Sequence, residues 1–199
     1  MLNVFFHPDI ALITLPKPFN TNLPSIQPIC LPKDGFDVNS KNVEEFRITG
    51  IGITEDKTSG KPKFPNEILY ADVNKLNSEK CYKDMDGKTT LPQKWAEEKE
   101  IGFCSRGKNG EVALTGDSGG PTVWKDKSDS NRAYIVGVIS HGARDKEMCK
   151  LPPNQAHSKA TIHATVSKEV SEWISKIVEK DGDACLVHWK METKESEVL

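Results

Sequence analysis

The chain has 199 residues, and its 27 lysines and arginines against 29 aspartates and glutamates give a formal net charge of −2. This length predicts one domain, or two small halves that share a core. The balanced charge argues against a nucleic-acid binder, because no basic excess is available to neutralise phosphates. The apolar runs at 10–15 and 134–139 are far shorter than the ~20 residues that cross a bilayer, so no membrane span is predicted.

Short runs of strand-forming residues, separated by Pro, Gly, Asn and Asp, dominate the chain up to residue 166. Predicted strands cover residues 9–15, 46–53, 67–74, 119–124, 133–140 and 161–166. Several short strands divided by turn-rich loops favour an antiparallel β sandwich or barrel. Between the first two strands, residues 15–32 hold five prolines, which predicts an extended linker.

Two helices are predicted. Residues 77–84 form the weaker one, with Asn77 or Ser78 as its N-cap. Residues 167–180 form the stronger one, since apolar residues recur there at helical spacing: Val170, Trp173, Ile174, Ile177 and Val178. The charged, aperiodic segment that follows is interpreted as a mobile tail.

The motif Gly116-Asp117-Ser118-Gly119-Gly120-Pro121 carries the chemistry. Six specified residues arise by chance in a chain of this length roughly once in a million sequences. Glycines on both sides of a serine allow backbone conformations that other residues avoid. The amides of Gly116 and Ser118 can then point to one spot, where an oxyanion would form. The motif therefore predicts a nucleophilic serine.

This motif resembles the nucleophile loop of chymotrypsin-like (trypsin family) serine proteases, and the similarity continues on both sides of it. Residues 7–15 (HPDIALITL) resemble the strand of the catalytic aspartate, residues 28–32 (PICLP) the linker between the two barrels, and residues 138–142 (VISHG) the strand that pairs with substrate. The resemblance spans about residues 7–178. It implies an all-β fold of two antiparallel β-barrels, the first only partly present, with a C-terminal α-helix.

The resemblance also implies an organisation of the chain. A remnant of the first barrel with the catalytic aspartate covers 1–22, and an inter-barrel linker covers 23–44. The second barrel with the nucleophile loop covers 45–166, the C-terminal helix 167–180, and a flexible tail 181–199.

The resemblance assigns roles to individual residues. Ser118 would be the nucleophile, with its own amide and that of Gly116 as the oxyanion hole. Asp9 would orient a catalytic imidazole, and Asp117 would pair with the N-terminal ammonium that activation cleavage releases, for which this chain shows no evident source. The specificity pocket would be formed by Val112, Ser140, His141 and Gly142.

Pocket specificity has two readings. Val112, six residues before the nucleophile, predicts an apolar pocket that takes apolar substrate residues. Glu111 could occupy that position instead if the loop is one residue short, and it would reverse the preference.

The family's catalytic histidine precedes the aspartate strand, so we expect an N-terminally truncated chain that lacks it. None of the five histidines is a convincing substitute: His7 is interpreted as a surface residue, His141 as a wall of the cleft, and His157, His163 and His188 are assigned no chemistry. The chain from Met1 to Leu199 is therefore expected not to hydrolyse peptides at a normal rate.

The five cysteines are far apart, which argues against a zinc site and favours disulfides and an oxidising compartment. The resemblance pairs Cys81 with Cys104. A second family bridge is replaced at both ends by aromatic residues, Phe46 and Trp124, which we expect to touch. The pairing of Cys30, Cys149 and Cys185 stays open, with a Cys30–Cys185 bridge as one candidate.

Two functions compete. The first is a secreted serine endopeptidase that cleaves protein or peptide substrates through an acyl-enzyme, needs no cofactor or metal, and is a target for a protease inhibitor. The second is a non-catalytic homologue that binds proteins through the old substrate cleft. Retention of Ser118, Asp117 and Asp9 favours the enzyme, whereas the absent histidine and the change to His141 favour the homologue.

Overall fold

The structure is a computed structural model that describes residues 2–5, 9–32, 36–38, 40, 43–55, 62–77, 81, 102–125, 132–142 and 160–180. Within these residues the chain forms ten strands and one long helix. The strands are β1 (Leu2–Phe5), β2 (Ile10–Ile13), β3 (Glu45–Gly50), β4 (Thr54–Glu55), β5 (Pro62–Lys63), β6 (Leu69–Leu76), β7 (Gly102–Gly107), β8 (Pro121–Lys125), β9 (Ala133–Gly142) and β10 (Thr161–Thr165), and the helix is α1 (Lys168–Lys180). No helix in this part of the chain has the length and apolar character that a membrane span requires.

Six of the strands close into a barrel in the order β10–β7–β6–β3–β8–β9, and every neighbouring pair is antiparallel. A separate antiparallel hairpin is formed by β1 and β2, and a short one by β4 and β5. The predicted all-β fold, with one full barrel, part of another and a C-terminal helix, is confirmed.

Four strands that the sequence did not predict are present: β1, β4, β5 and β7. β7 has a glycine at each end and no β-branched residue, and it pairs with β6 and β10 to close the barrel. β1 pairs with β2 along all four residues. Of the predicted short helix, Cys81 is helical and its N–H donates to the carbonyl oxygen of Asn77 at 2.9 Å, whereas residues 78–80 and 82–84 lie outside the described residues, as does the predicted tail.

The interior of the barrel contains an apolar cluster that is rich in aromatic rings. Its buried cluster consists of Val38, Val43, Phe46, Ile48, Val73, Phe103, Ala113, Val136 and Ile139. Trp124 packs against this cluster, and the ring of Phe36 lies 6.2 Å from that of Phe46 and 5.5 Å from that of Trp124. Both aromatic residues that replace the absent bridge therefore belong to one packed group.

The disulfide between Cys81 and Cys104, expected from the resemblance, is present. The two Cα atoms are 5.9 Å apart, within the range that a disulfide requires. The bridge ties Cys81 to β7, next to Leu76 and Ile162 in a second buried cluster.

The N-terminal part of the chain lies against β9, β10 and helix α1. Ile10 is buried in a third cluster with Ala164, Val166 and Val170. The linker joins the barrel through Cys30, whose N–H donates to Ala133 and whose carbonyl accepts from the N–H of Ile135. These contacts hold the start of β2, and with it Asp9, beside the strand β9.

Candidate active site

The nucleophile loop, residues 114–120, connects the floor of the predicted pocket to strand β8. Gly116 has φ +100° and Gly119 φ +85°, values that favour glycine because a Cβ is strained there. The N–H of Asp117 donates to Leu114 at 3.0 Å, and the N–H of Gly120 donates to Asp117 at 2.9 Å. This tight turn leaves Ser118 exposed to solvent.

Two backbone amides in this loop remain available. Asp117, Gly119 and Gly120 all donate their N–H groups to backbone carbonyls. Among the hydrogen bonds of the described residues, none is donated by the N–H of Gly116 or of Ser118. These are the two amides to which the resemblance gives the oxyanion hole, and free donors are what such a hole needs.

The carboxylate of Asp117 is half-buried, and each of its two oxygens accepts a hydrogen bond from a backbone N–H. One oxygen, Oδ1, accepts the N–H of Gly52 at 2.7 Å, and the other, Oδ2, accepts the N–H of Leu114 at 2.8 Å. Asp117 thus has two backbone partners within the chain, and the expected pairing with an N-terminal ammonium stays a prediction. These two amide donors replace water molecules, and their hydrogen bonds offset the free-energy cost of partly burying a carboxylate.

Ser140 connects the nucleophile to the carboxylate of the N-terminal segment. Its hydroxyl donates to Oδ2 of Asp9 at 2.9 Å, and its carbonyl oxygen accepts a long hydrogen bond of 3.4 Å from Oγ of Ser118. The sequence assigned Ser140 only to the wall of the pocket. A strand serine has no pattern that would reveal such a bridge, because Asp9 lies 131 residues away.

The floor of the predicted pocket is held by a buried threonine. The N–H of Ala113, next to Val112, donates to Oγ1 of Thr161 at 2.7 Å, and Thr161 is fully buried. No role for Thr161 was predicted from the sequence.

Glu111, the alternative floor residue, is engaged elsewhere. Its carboxylate accepts the backbone N–H and the side-chain amide of Asn109, each at 2.9 Å, and these hydrogen bonds lower its pKa. Its side chain thus belongs to the turn that follows β7. Of the pocket wall, Gly142 is the last residue of β9, and the side chain of His141 lies outside the described residues.

His163 lies in the barrel core, away from Ser118. Its Nε2 is 2.6 Å from the hydroxyl of Ser105 and its Nδ1 is 2.7 Å from that of Thr122. The ring stacks on Phe103, with 4.7 Å between centroids. Complete burial lowers the pKa of His163 to about 3, so the imidazole is neutral at physiological pH and both ring nitrogens are satisfied.

The site combines a serine on a glycine turn, two amides that donate no hydrogen bond among the described residues, and a carboxylate reached through Ser140. This is the arrangement expected of a serine hydrolase. Comparison with known proteins specifies the family. The family model described as Trypsin matches residues 3–190. The chain belongs to the trypsin family of serine proteases.

Individual relatives agree with this assignment. Clotting factor C of Tachypleus tridentatus is 32% identical over 68% of this chain and 13% of its own length, and the clotting factor G beta subunit of the same organism is 34% identical over 67% and 41%. The alpha-fibrinogenase albofibrase of Trimeresurus albolabris is 29% identical over 92% and 60%. The chain thus spans less than two thirds of the length of each.

Proposed function

We propose that this chain carries the nucleophile half of a secreted serine endopeptidase, with Ser118 forming an acyl-enzyme on protein or peptide substrates. The observation that supports this most is the position of Ser140, which contacts both Ser118 and Asp9. A carboxylate held near the nucleophile serves to orient an imidazole between them and to stabilise its cation. The exposed hydroxyl of Ser118 is open to a substrate carbonyl.

The remaining roles follow from the same geometry. As the hydroxyl oxygen of Ser118 attacks, negative charge develops on the substrate oxygen, and the amides of Gly116 and Ser118 would receive it. Val112 beside the buried Thr161 would form an apolar floor, so an apolar residue is expected before the scissile bond. Neither role calls for a cofactor or a metal, and a protease inhibitor would bind in the same cleft.

The step that the described residues do not supply is proton transfer. In the described part of the chain, the hydroxyl of Ser118 donates to a backbone carbonyl, and His163 is occupied by Ser105 and Thr122 in the core. Without a base, the proton of the attacking hydroxyl has no acceptor, and catalysis rests on the oxyanion hole and binding alone. Because the sequence predicts that the family's catalytic histidine is absent, we expect the chain from Met1 to Leu199 to hydrolyse peptides far below a normal rate.

A fluorophosphonate probe tests the proposal. The chain is incubated with the probe, with and without added imidazole, and labelling is followed by mass spectrometry. We expect slow labelling of Ser118 that imidazole accelerates, because free imidazole can take the proton. Ser118→Ala should abolish labelling, and Thr115→Ala, which removes an exposed hydroxyl in the same loop, should leave it unchanged.

The outcomes separate the alternatives. Labelling at other residues only, or equal labelling in Ser118→Ala, would refute the nucleophile. Fast labelling without imidazole would mean that a histidine of this chain already acts as the base. The second candidate, a non-catalytic homologue that binds proteins through the cleft, is favoured by the imidazole of His163, which binds Ser105 and Thr122 in the core and does not bind Ser118. It predicts no labelling with imidazole at any concentration.

A further inference from the structure

Residues 49–53, which are the end of strand β3 and the segment after it, lie directly against the nucleophile loop and are called the β3 turn here. The N–H of Gly52 donates to the carboxylate of Asp117 at 2.7 Å. One residue further on, the N–H of Ile53 donates to the carbonyl oxygen of Thr115 at 2.8 Å. The turn thus holds the nucleophile loop at two points on the side that precedes Ser118.

The same turn also touches the loop after the nucleophile. A Cβ atom built on Gly120 would lie 2.7 Å from the carbonyl oxygen of Thr49, closer than real Cβ atoms approach backbone. Here the two backbones are in direct contact. The β3 turn therefore contacts the loop before, at and after the residue pair Asp117–Ser118.

Two glycines of the turn leave the space in which the carboxylate of Asp117 lies. A Cβ on Gly50 would lie 2.8 Å from Cγ of Asp117, and a Cβ on Gly52 would lie 2.5 Å from each carboxylate oxygen. Neither glycine has a positive φ, so the backbone would accept another residue at both positions. Space for the carboxylate is the one requirement for glycine that the geometry shows.

We propose that Gly50 and Gly52 are positioning residues, and that the β3 turn sets the shape of the nucleophile loop through the carboxylate of Asp117. The functional meaning of this inference rests on the proposed nucleophile, but its geometry does not. A side chain at Gly52 displaces the carboxylate, and the N–H groups of Gly52 and Leu114 then lose their acceptor. Because Asp117 lies between Gly116 and Ser118, its displacement turns their amides apart.

A double-mutant cycle tests the steric part. Gly52→Ala should lower Tm by roughly 4–8 °C. In an Asp117→Ala background the same substitution should cause little further change, because the atoms that a Cβ would meet have been removed. Equal losses in both backgrounds would overturn the proposal. If Gly52→Ala does not fold, the double variant decides: its folding supports the proposal, and its failure to fold overturns it.

Nuclear magnetic resonance tests the positioning part. The ¹H–¹⁵N signals of Gly116 and Ser118 should shift in Gly52→Ala and in Asp117→Ala. Ile51→Ala, which truncates the exposed side chain between the two glycines, should leave them in place. Gly107→Ala is the matched control, since a Cβ there would meet the carboxylate of Glu111, outside the nucleophile loop. Unchanged signals in Gly52→Ala, or equal shifts in Gly107→Ala, would overturn the proposal.

Neither readout uses hydrolysis or labelling of Ser118. If Ser118 is not labelled while the double-mutant cycle and the amide signals behave as expected, the positioning role of the β3 turn is supported and the proposed function is refuted. The reverse result would support Ser118 as the nucleophile and refute the positioning role of the β3 turn.

Discussion

The two halves of the candidate site are held in different ways. The nucleophile loop is built into the closed barrel: β9 accepts from the N–H of Gly119 and donates through Ile139 to Gly120, and the β3 turn binds Asp117. Asp9 lies directly before β2 in the β1–β2 hairpin, outside the barrel, and is held by the hydroxyl of Ser140 and by the burial of its neighbour Ile10. The conformation of the nucleophile loop thus depends on the barrel strands. The carboxylate of Asp9 depends on contacts between the hairpin and the barrel, so its position can change while the loop keeps its conformation.

The largest expected difference between the barrel and the hairpin is in the free energy of unfolding after a side chain is truncated. Phe46 is 2% exposed and Ile13, in the hairpin, is 68% exposed. Phe46→Ala should lower the free energy of unfolding by about 3–5 kcal/mol, whereas Ile13→Ala should change it by no more than ~0.5 kcal/mol. Urea unfolding followed by circular dichroism measures both, and similar losses would show that the hairpin and the barrel share one core.

The disulfide should stabilise the barrel by a smaller amount. Cys81 and Cys104 are separated by 23 residues, and closing a loop of that size corresponds to about 3 kcal/mol in the chain-entropy account. The double variant Cys81→Ala/Cys104→Ala should lose that much stability, and a reductant should destabilise the wild type but not the double variant. A wild-type urea midpoint that a reductant leaves unchanged would contradict this expectation.

Acid should destabilise the barrel through His163. Its pKa falls from about 6.5 in the unfolded chain to about 3 in the folded one. As pH drops below about 6.5 the unfolded state binds the proton first, so stability is lost toward pH 3 and is unaffected above pH 7. The limiting slope is about 1.4 kcal/mol per pH unit.

His163→Gln keeps hydrogen-bonding groups at this position but does not titrate. Between pH 4.5 and 6.5 its unfolding free energy should therefore depend less steeply on pH than that of the wild type. Parallel pH profiles for the two proteins would show that the acid sensitivity arises from other groups.

The smallest effect is expected where the two regions meet. Ser140→Ala removes the hydrogen bond to Asp9, which corresponds to about 1 kcal/mol. The loss should be local: amide hydrogen exchange in β2 should accelerate while that of β6 and β7 stays unchanged. Asp9→Ala should give the same pattern, and acceleration throughout the barrel would mean that the contact stabilises the whole fold.

The sequence predicted the fold class because strand-forming runs, turns and helical spacing depend on local residue types, and the role of the nucleophile loop stays a prediction. The glycines of the nucleophile motif and the spacing of apolar residues in α1 can be recognised directly in the amino-acid sequence. Strand β7 was missed because Gly102–Gly107 contains no β-branched residue, and its pairing with β6 and β10 is a tertiary effect.

The partners of buried polar groups could not be read from the sequence. His163 binds hydroxyls 58 and 41 residues away, and Asp117 binds backbone amides, which every residue except proline has. No residue type at Gly52 or Leu114 signals an acceptor elsewhere. The sequence therefore indicated that Asp117 is important, but not what holds it.

The ring contacts between β8 and β9 make the intrinsic fluorescence of the protein sensitive to the pairing of these two strands. The rings of Tyr134 and Trp124 are 6.1 Å apart, and Phe36 lies 5.5 Å from the indole. At that separation, excitation of the tyrosine passes to the indole, so Tyr134 contributes almost no emission of its own while the strands are paired. When β8 and β9 separate, the transfer weakens and tyrosine emission increases at shorter wavelength.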